Sequence, residues 1–276
     1  MLIINKNLLS EYERQEIDFL SENFDYESFN LKDLWKILDF VWDKIGCDNI
    51  NLNETKIRQF YSHPVWIING LFSEQDSESR QSRESIASWI SAHNLKLILD
   101  YGGGTGSLAK IISDRNKDLN IHIYEPYPAQ YAISTTSSYK TIKFVDSLDT
   151  NYDCVVSLDV LEHVTDPLIH LFEIVNSIKQ DGYLIIQNNF YPCIKCHLPD
   201  TFYLRWTFDS FATEMGLEKI DADCFNSPAS IYKKSKSIDI NWDKIRRLEK
   251  RSKLFFPVKE IKNRINILVN NRILRK

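Results

Sequence analysis

The chain is poor in glycine. It holds eight in 276 residues, and four of these are Gly102, Gly103, Gly104 and Gly106. No apolar run approaches the ~18 residues of a membrane span, so no bilayer-crossing helix is expected. Met1-Leu-Ile-Ile is too short for a secretory leader, and Glu11 and Glu13 follow soon after. Cysteine is also sparse: five scattered thiols, an odd number, suit a reducing cytoplasm rather than a disulfide framework. Internal repeats, low-complexity linkers and the cysteine triplet of radical iron–sulfur enzymes are all missing. Cys193-Ile-Lys-Cys196-His197 spells the covalent haem-attachment pattern, but no export signal accompanies it. No second C-x-x-C completes a zinc set, which leaves only Cys224 or His170 as a fourth ligand. The expectation is therefore no metal.

The glycine cluster lies between an apolar run, Leu95 to Leu99, and Ser107-Leu-Ala-Lys-Ile-Ile. The first reads as a buried strand and the second as a helix. Glycines let the backbone turn sharply and approach a ligand closely. The following helix N-terminus presents free N–H groups and partial positive charge. A nucleotide-like ligand is expected across the carboxyl end of this first strand. From residue 95 strand and helix patterns alternate, which predicts a parallel sheet. Strands are read at 95–101, 120–125, 141–145, 152–158 and 182–188, the last after an Asp181-Gly182 turn. Helices are read at 106–115, 128–137, 166–179 and 207–215. Leu217–Asp223 and Ser230–Lys234 are read as an antiparallel closing pair.

The order Asp100-Tyr-Gly102-Gly103-Gly104-Thr-Gly106 resembles motif I of the class I S-adenosylmethionine (SAM) dependent methyltransferases. Ile121-His-Ile-Tyr-Glu125-Pro126 resembles the second strand and its acid. Lys143-Phe-Val-Asp146-Ser147 resembles the third. Ser157-Leu-Asp159-Val-Leu-Glu162-His163-Val-Thr-Asp166-Pro167 resembles the segment at and after the fourth. The resemblance covers about residues 95–235 and implies a Rossmann-like, doubly wound seven-stranded α/β sheet. It implies SAM as cofactor and S-adenosylhomocysteine as product. It places Asp100, Gly102, Gly103, Gly104, Gly106, Glu125, Pro126, Asp146, Ser147, Ser157 and Asp159 around the cofactor. Glu125 would take both ribose hydroxyls, which suits a bidentate acceptor, and Asp146 the adenine amino group. A NAD-linked oxidoreductase also places an acid on the ribose, but nothing after the fourth strand looks like a hydride-transfer site.

The segment after the fourth strand has neither Asn/Asp-Pro-Pro-aromatic nor Pro-Cys, the marks of two nucleic-acid or protein methylating types. It looks like small-molecule, quinone and sugar O-methyltransferases. His163 is the candidate base, because imidazole accepts a proton near neutrality, and packing at the mouth of the site is its equal alternative. Glu162 reads as a helix-start carboxylate. Asn188, Asn189 and Tyr191 follow the fifth strand, where they could orient a polyhydroxylated substrate, and His197 nearby is an alternative base; for all four the other reading is loop hydrogen bonding.

Residues 1–94 read as a helical cap. Ser10 with Glu13 forms a capping box and Asn30 starts a helix that Gly46 ends. Asn53 starts another that ends near His63-Pro64, and 76–93 is the helix before the first strand. Phe60-Tyr61-Ser-His63-Pro64-Val-Trp66 either packs within the cap or lines the substrate side. Residues 233–276 carry 15 Lys/Arg against 4 Asp/Glu, a net of +11 in a chain of net −4. Two amphipathic helices separated by Pro257 are expected there. Trp242, Ile245, Leu248 and Phe255 line one; Val258, Ile261, Ile265 and Leu268 line the other. The division is then 1–94 cap, 95–235 SAM-binding domain and 236–276 basic tail. The expected function is methyl transfer to oxygen of a small molecule or glycan, in the setting of surface-polysaccharide biosynthesis. The tail suits peripheral contact with an anionic membrane at its cytoplasmic face. An RNA methyltransferase and a non-catalytic SAM-binding protein are the alternatives. The sequence does not give the oligomeric state.

Overall fold

A computed structural model of the chain describes residues 2–220, 226–236 and 239–273, the side chains of 264–273 apart. Five helices come first: α1 (Glu11–Asn23), α2 (Leu31–Ile45), α3 (Glu54–Tyr61), α4 (Val65–Gln75) and α5 (Ser77–Ala92). Their ends obey local chemistry. Ser10 and Glu13 exchange hydrogen bonds at the start of α1, as do Asn30 and Asp33 at the start of α2. Gly46 closes α2 with φ +76°. The sequence pattern does not separate α4. Its residues Val65, Ile67, Ile68, Leu71 and Phe72 are buried around the whole helix, so no amphipathic period appears. Pro64 at its N-cap offers no capping side chain.

The sheet follows: β1 (Leu97–Tyr101), α6 (Ser107–Arg115), β2 (Asn120–Tyr124), α7 (Gln130–Thr136), β3 (Ile142–Val145), β4 (Tyr152–Leu158), α8 (Pro167–Ser177), β5 (Ile178–Gln187), α9 (Phe208–Glu214), β6 (Leu217–Lys219) and β7 (Ser230–Lys234). Strand order is β3-β2-β1-β4-β5-β7-β6. The first five strands run parallel, and β7 is antiparallel to both β5 and β6. This is the expected doubly wound, seven-stranded α/β sheet with a helical N-terminus. The chain reverses its direction of progress between β1 and β4, which opens a crevice at their carboxyl ends. The expected helix at 166–179 stops sooner, because β5 begins at Ile178 and kinks through Asp181, φ +62°. The part of the expected strand 217–223 beyond residue 220 lies outside the described residues, as does Cys224.

The cap shares a core with the loop after β5. Ile194, Cys196 and Leu198 are buried among cap residues such as Ile37, Val41 and Phe60. Lys195 points outward instead; its N–H donates to Asp39 at 2.7 Å and its ammonium pairs with Asp43 at 2.5 Å. The C-x-x-C-H run is thus a strap docked on α2.

The tail corrects one expectation. It is a single helix, α10 (Trp242–Ile273), which continues through Pro257. The proline removes one N–H, and the Lys253 carbonyl loses its usual partner, but the turns on either side continue. Ile245 is buried in the core of the sheet domain, with Trp242, Leu248 and Phe256 packed beside it. Arg246 bonds Asp166, and Arg205 pairs with Glu260 at 2.6 Å. The first half of the helix therefore belongs to the packed core. Phe255, expected on the packed face, is instead exposed. The side chains of Ile265 and Leu268 lie outside the described residues.

Candidate active site

The glycine turn sits at the carboxyl end of β1. Gly102 N–H donates to Tyr124 O at 2.8 Å, which ties the turn to β2. Gly103 packs so closely that a β-carbon would lie 2.7 Å from the Asp100 carboxylate and 2.9 Å from Ile123. Gly104 is different. Its φ is +52°, and an added β-carbon would meet nothing within 4 Å. Space for a ligand therefore lies directly over Gly104. The Glu125 carboxylate, just past β2, faces that space and accepts the N–H groups of Gly104 at 3.1 Å and Tyr127 at 3.2 Å. Burial pushes its carboxyl above the usual range, and these two N–H groups oppose the shift.

Buried polar atoms without a hydrogen-bond partner among the described residues gather beside the turn: Asp100 Oδ2, Thr105 Oγ1, Ser107 Oγ and Ser157 Oγ. Orphaned interior groups of this kind are costly unless something bonds to them. Loss of hydration pushes the Asp100 carboxyl up to about 7. The Arg83 guanidinium opposes that shift, and the charge of Glu125 adds to it. Arg83 is the residue that sequence reading missed. It stands on α5 on the same stripe as Ile86, Ala87 and Ile90, and burial lowers its pKa against the charges of Asp159, Asp100 and Glu74. A cation on the buried stripe of an amphipathic helix was the available signal.

The remaining expected cofactor residues surround the same crevice. Asp159, φ +54°, caps the end of β4, and its carboxylate accepts from Gln187 Nε2 at 3.0 Å. Pro126, Asp146 and Ser147 stand exposed just past β2 and β3. These residues fit SAM. Adjacent carboxylates match a ribose and an amine, the space over Gly104 admits a chain, and the orphaned acceptors await donors.

The second half of the site lies past β4 and β5. A 3-10 turn, Leu161–His163, carries Glu162 and His163 inward. Glu162 is fully buried and does not start α8; Asp166 caps that helix at Ile169 N–H, 3.2 Å. Glu162 Oε1 accepts Asn189 N–H at 2.7 Å, while Oε2 has no partner. Burial and the nearby Asp159 raise the Glu162 carboxyl well above its ordinary value. His163 meets the rings of Tyr61 and Trp66 from the cap at centroid distances of 6.1 and 5.9 Å, and that of His197 at 4.8 Å. Burial drives its pKa down to about 3, with His197 adding to the shift and the Cys196 carbonyl opposing it. His163 is therefore neutral at pH 7 and a weak proton acceptor. Of the aromatic patch, Tyr61 and Trp66 reach the site, whereas Phe60 is core and buried His63 holds Val65 N–H and Glu16. Asn188 Oδ1 accepts from Leu161 N–H, 3.3 Å, and Tyr191 stacks under the Arg205 guanidinium, 3.5 Å. His170, on α8, bonds the Tyr101 hydroxyl of β1 at 2.6 Å.

No curated protein matches the sequence. Among solved structures, the CurJ carbon methyltransferase superposes with TM-score 0.51 at 11% identity, covering 81% of this chain and 71% of that one. The N-methyltransferase NodS from Bradyrhizobium japonicum WM9, in complex with S-adenosyl-l-homocysteine, gives TM-score 0.45 at 13% identity over 59% of this chain and 90% of that one. The mitomycin 7-O-methyltransferase MmcR gives 0.44 at 16%, over 70% and 66%. At such identities the likeness to CurJ is one of fold. The family described as "Methyltransferase domain" matches residues 75–224, more than half of the chain and the whole crevice from α5 to the end of the parallel strands. The chain belongs to this family, and is a class I SAM-dependent methyltransferase.

Proposed function

We propose that this enzyme methylates an oxygen of a small molecule or glycan, bound where Tyr61 and Trp66 of the cap meet His163, itself packed on His197. That junction of cap aromatics with the paired imidazoles is the observation that carries the reading. In this reading residues 1–94 cover the site, 95–235 hold the cofactor and 236–276 form the basic tail. Glu125 holds the ribose hydroxyls and Asp146 the adenine amino group. Gly102, Gly103, Gly104 and Gly106 leave room for the amino-acid end, with Asp100 and Arg83 beside it. Pro126, Ser147, Ser157 and Asp159 shape the walls. When bound, SAM supplies a methyl group already activated by the sulfonium charge. The protein's own work is to align the acceptor and exclude water. His163 positions the acceptor hydroxyl rather than carrying its proton far.

The tail supports an anionic surface as the setting. Leu254, Phe255, Val258 and Ile261 are each more than half exposed on α10, amid Lys250, Arg251, Lys259 and Lys262. No described helix is long and apolar enough to cross a membrane. An amphipathic basic helix of this kind suits a lipid-linked glycan presented at an anionic bilayer.

The test measures S-adenosylhomocysteine release with sugar nucleotides, lipid-linked glycans, small phenols and RNA as acceptors. Release with a hydroxylated small molecule or glycan is expected. His163→Ala should lower that turnover by roughly 10²-fold, the scale of a misplaced reactant, with SAM affinity unchanged. Turnover on RNA alone would replace this reading with the nucleic-acid one.

A further inference from the structure

We propose that Glu162, His163 and His197 form a binding site for a divalent transition-metal cation that leaves a coordination position to an oxygen of the acceptor. One ligand atom from each of the three residues lies within 4.8 Å of the others. Two segments distant in sequence bring them together, the 3-10 turn after β4 and the strap after β5. The segments are stapled twice: Leu198 N–H donates to Glu162 O at 2.9 Å, and His163 Nδ1 meets the Cys196 carbonyl at 3.1 Å.

The hydrogen bonds around the trio select the state a cation needs. His163 Nδ1 faces the Cys196 carbonyl, and His197 Nδ1 faces the Tyr191 carbonyl at 2.6 Å. A carbonyl only accepts, so both protons sit on Nδ1 and both Nε2 atoms keep a lone pair. Backbone carbonyls behind ligating histidines orient metal sites in this way. Glu162 contributes the independent observation. It is fully buried, its Oε1 is satisfied by Asn189 N–H, and its Oε2 has no hydrogen-bond partner among the described residues. As a carboxylate, Oε2 lacks a donor; as a protonated acid, it lacks an acceptor. A cation among the three resolves both. Metal–nitrogen bonds of about 2.0–2.1 Å set ligand atoms about 3.0–3.5 Å apart, so a separation of 4.8 Å would close by about 1.3–1.8 Å.

Two imidazoles and one carboxylate favour zinc or a similar first-row cation over magnesium or calcium. Three protein ligands leave an open position. The trio lies at the carboxyl ends of β4 and β5 beside Tyr61 and Trp66, where the proposed function places the acceptor. The acceptor part of the inference rests on that reading; cation binding does not. An acceptor hydroxyl on the cation gives its proton to water more readily than a free one.

The experiment uses the full chain stripped with a chelator, then titrated with cobalt(II) and, by calorimetry, zinc(II). One cobalt per chain with intensified visible ligand-field bands is expected. Glu162→Gln and His197→Ala should each weaken binding at least about tenfold, with folding checked by circular dichroism. Cys193→Ser should leave it unchanged. The aqua-ion spectrum throughout would overturn the site, as would binding that survives both substitutions. If Glu162→Gln fails to fold, His197→Ala decides alone. SAM affinity is measured on the same stripped protein: its loss would sink the methyltransferase reading without touching the metal result. Full turnover in stripped protein that still binds cobalt would overturn the acceptor role.

Discussion

The side chain of Thr105 in the glycine turn rests directly on Gly70 of α4. A β-carbon at Gly70 would lie 2.3 Å from Thr105 Oγ1 and 2.3 Å from its Cγ2. The cap therefore touches the cofactor turn with nothing between them. Helix α4, which no sequence period reveals, sets the position of the turn. Gly70→Ala should cost about 1–3 kcal/mol through overpacking and weaken SAM binding, because the turn must shift to relieve it. Thermal unfolding and calorimetry check both effects. Adding Thr105→Gly should restore much of the stability. Unchanged SAM affinity in Gly70→Ala would mean that the turn does not depend on this contact.

Gly104 and Glu125 make a sharper pair of tests. Gly104→Val fills the space over the turn and forces a side chain into the left-handed region, at about 1–2 kcal/mol. It should abolish SAM binding while the chain still folds. Glu125→Ala should weaken SAM binding by about 1–3 kcal/mol, the scale for hydrogen bonds to a charged group. NAD binding in place of SAM, measured calorimetrically on the parent protein, would sink the cofactor assignment.

Asp100 gives the site a pH dependence. Its folded pKa of about 7 lies above the ordinary 3.8, with Arg83 and Glu125 the charged groups facing it. A carboxyl raised on folding favours the folded state while protonated. Its contribution is complete below the unfolded pKa and is lost as pH rises through about 7. Stability without ligand should therefore fall between about pH 4 and 7 more steeply than in Asp100→Asn. A ligand ammonium beside Asp100 would favour the carboxylate. SAM binding near pH 6 should then release a proton, seen as a binding enthalpy that varies with buffer ionisation heat. A buffer-independent enthalpy would place the ammonium elsewhere.

How much of this was legible depends on how local each signal is. The Gly102–Gly106 turn, Glu125 and the strand–helix alternation announce themselves because their constraints lie within a few consecutive residues. The capping box at Ser10 and the helix start at Asn30 were readable for the same reason. Arg83 and Gly70 were not, since each matters only through a partner distant in sequence, Asp100 and Thr105. The trio of Glu162, His163 and His197 was hidden because the chain has no alignment of ligands at metal spacing. Docking of the strap on α2 brings His197 to the other two, and that docking depends on Lys195, Asp39 and Asp43. Pro257 misled the reading of the tail. A proline predicts a break, but a helix held on one side by Ile245, Arg246 and Glu260 tolerates it.

The docked half of α10 changes what a test of the tail must be. Removing it would also expose the core around Ile245, and Ile245→Ala alone should cost about 2–5 kcal/mol. The exposed stripe can be altered without that damage. Leu254, Val258 and Ile261 recur on one face and are largely exposed, so changing all three to serine leaves the packed side intact. Each basic residue near an anionic bilayer contributes about 1 kcal/mol, and salt screens it. Charge then draws the helix to the surface, and the apolar stripe adds shallow insertion. Full-length protein should float with vesicles in proportion to their anionic lipid, less so at high salt, and the triple-serine variant should float markedly less with unchanged melting. Equal flotation of the two would remove insertion from the account. No dependence on anionic lipid would remove the membrane altogether, and the basic face would then await an anionic partner in solution.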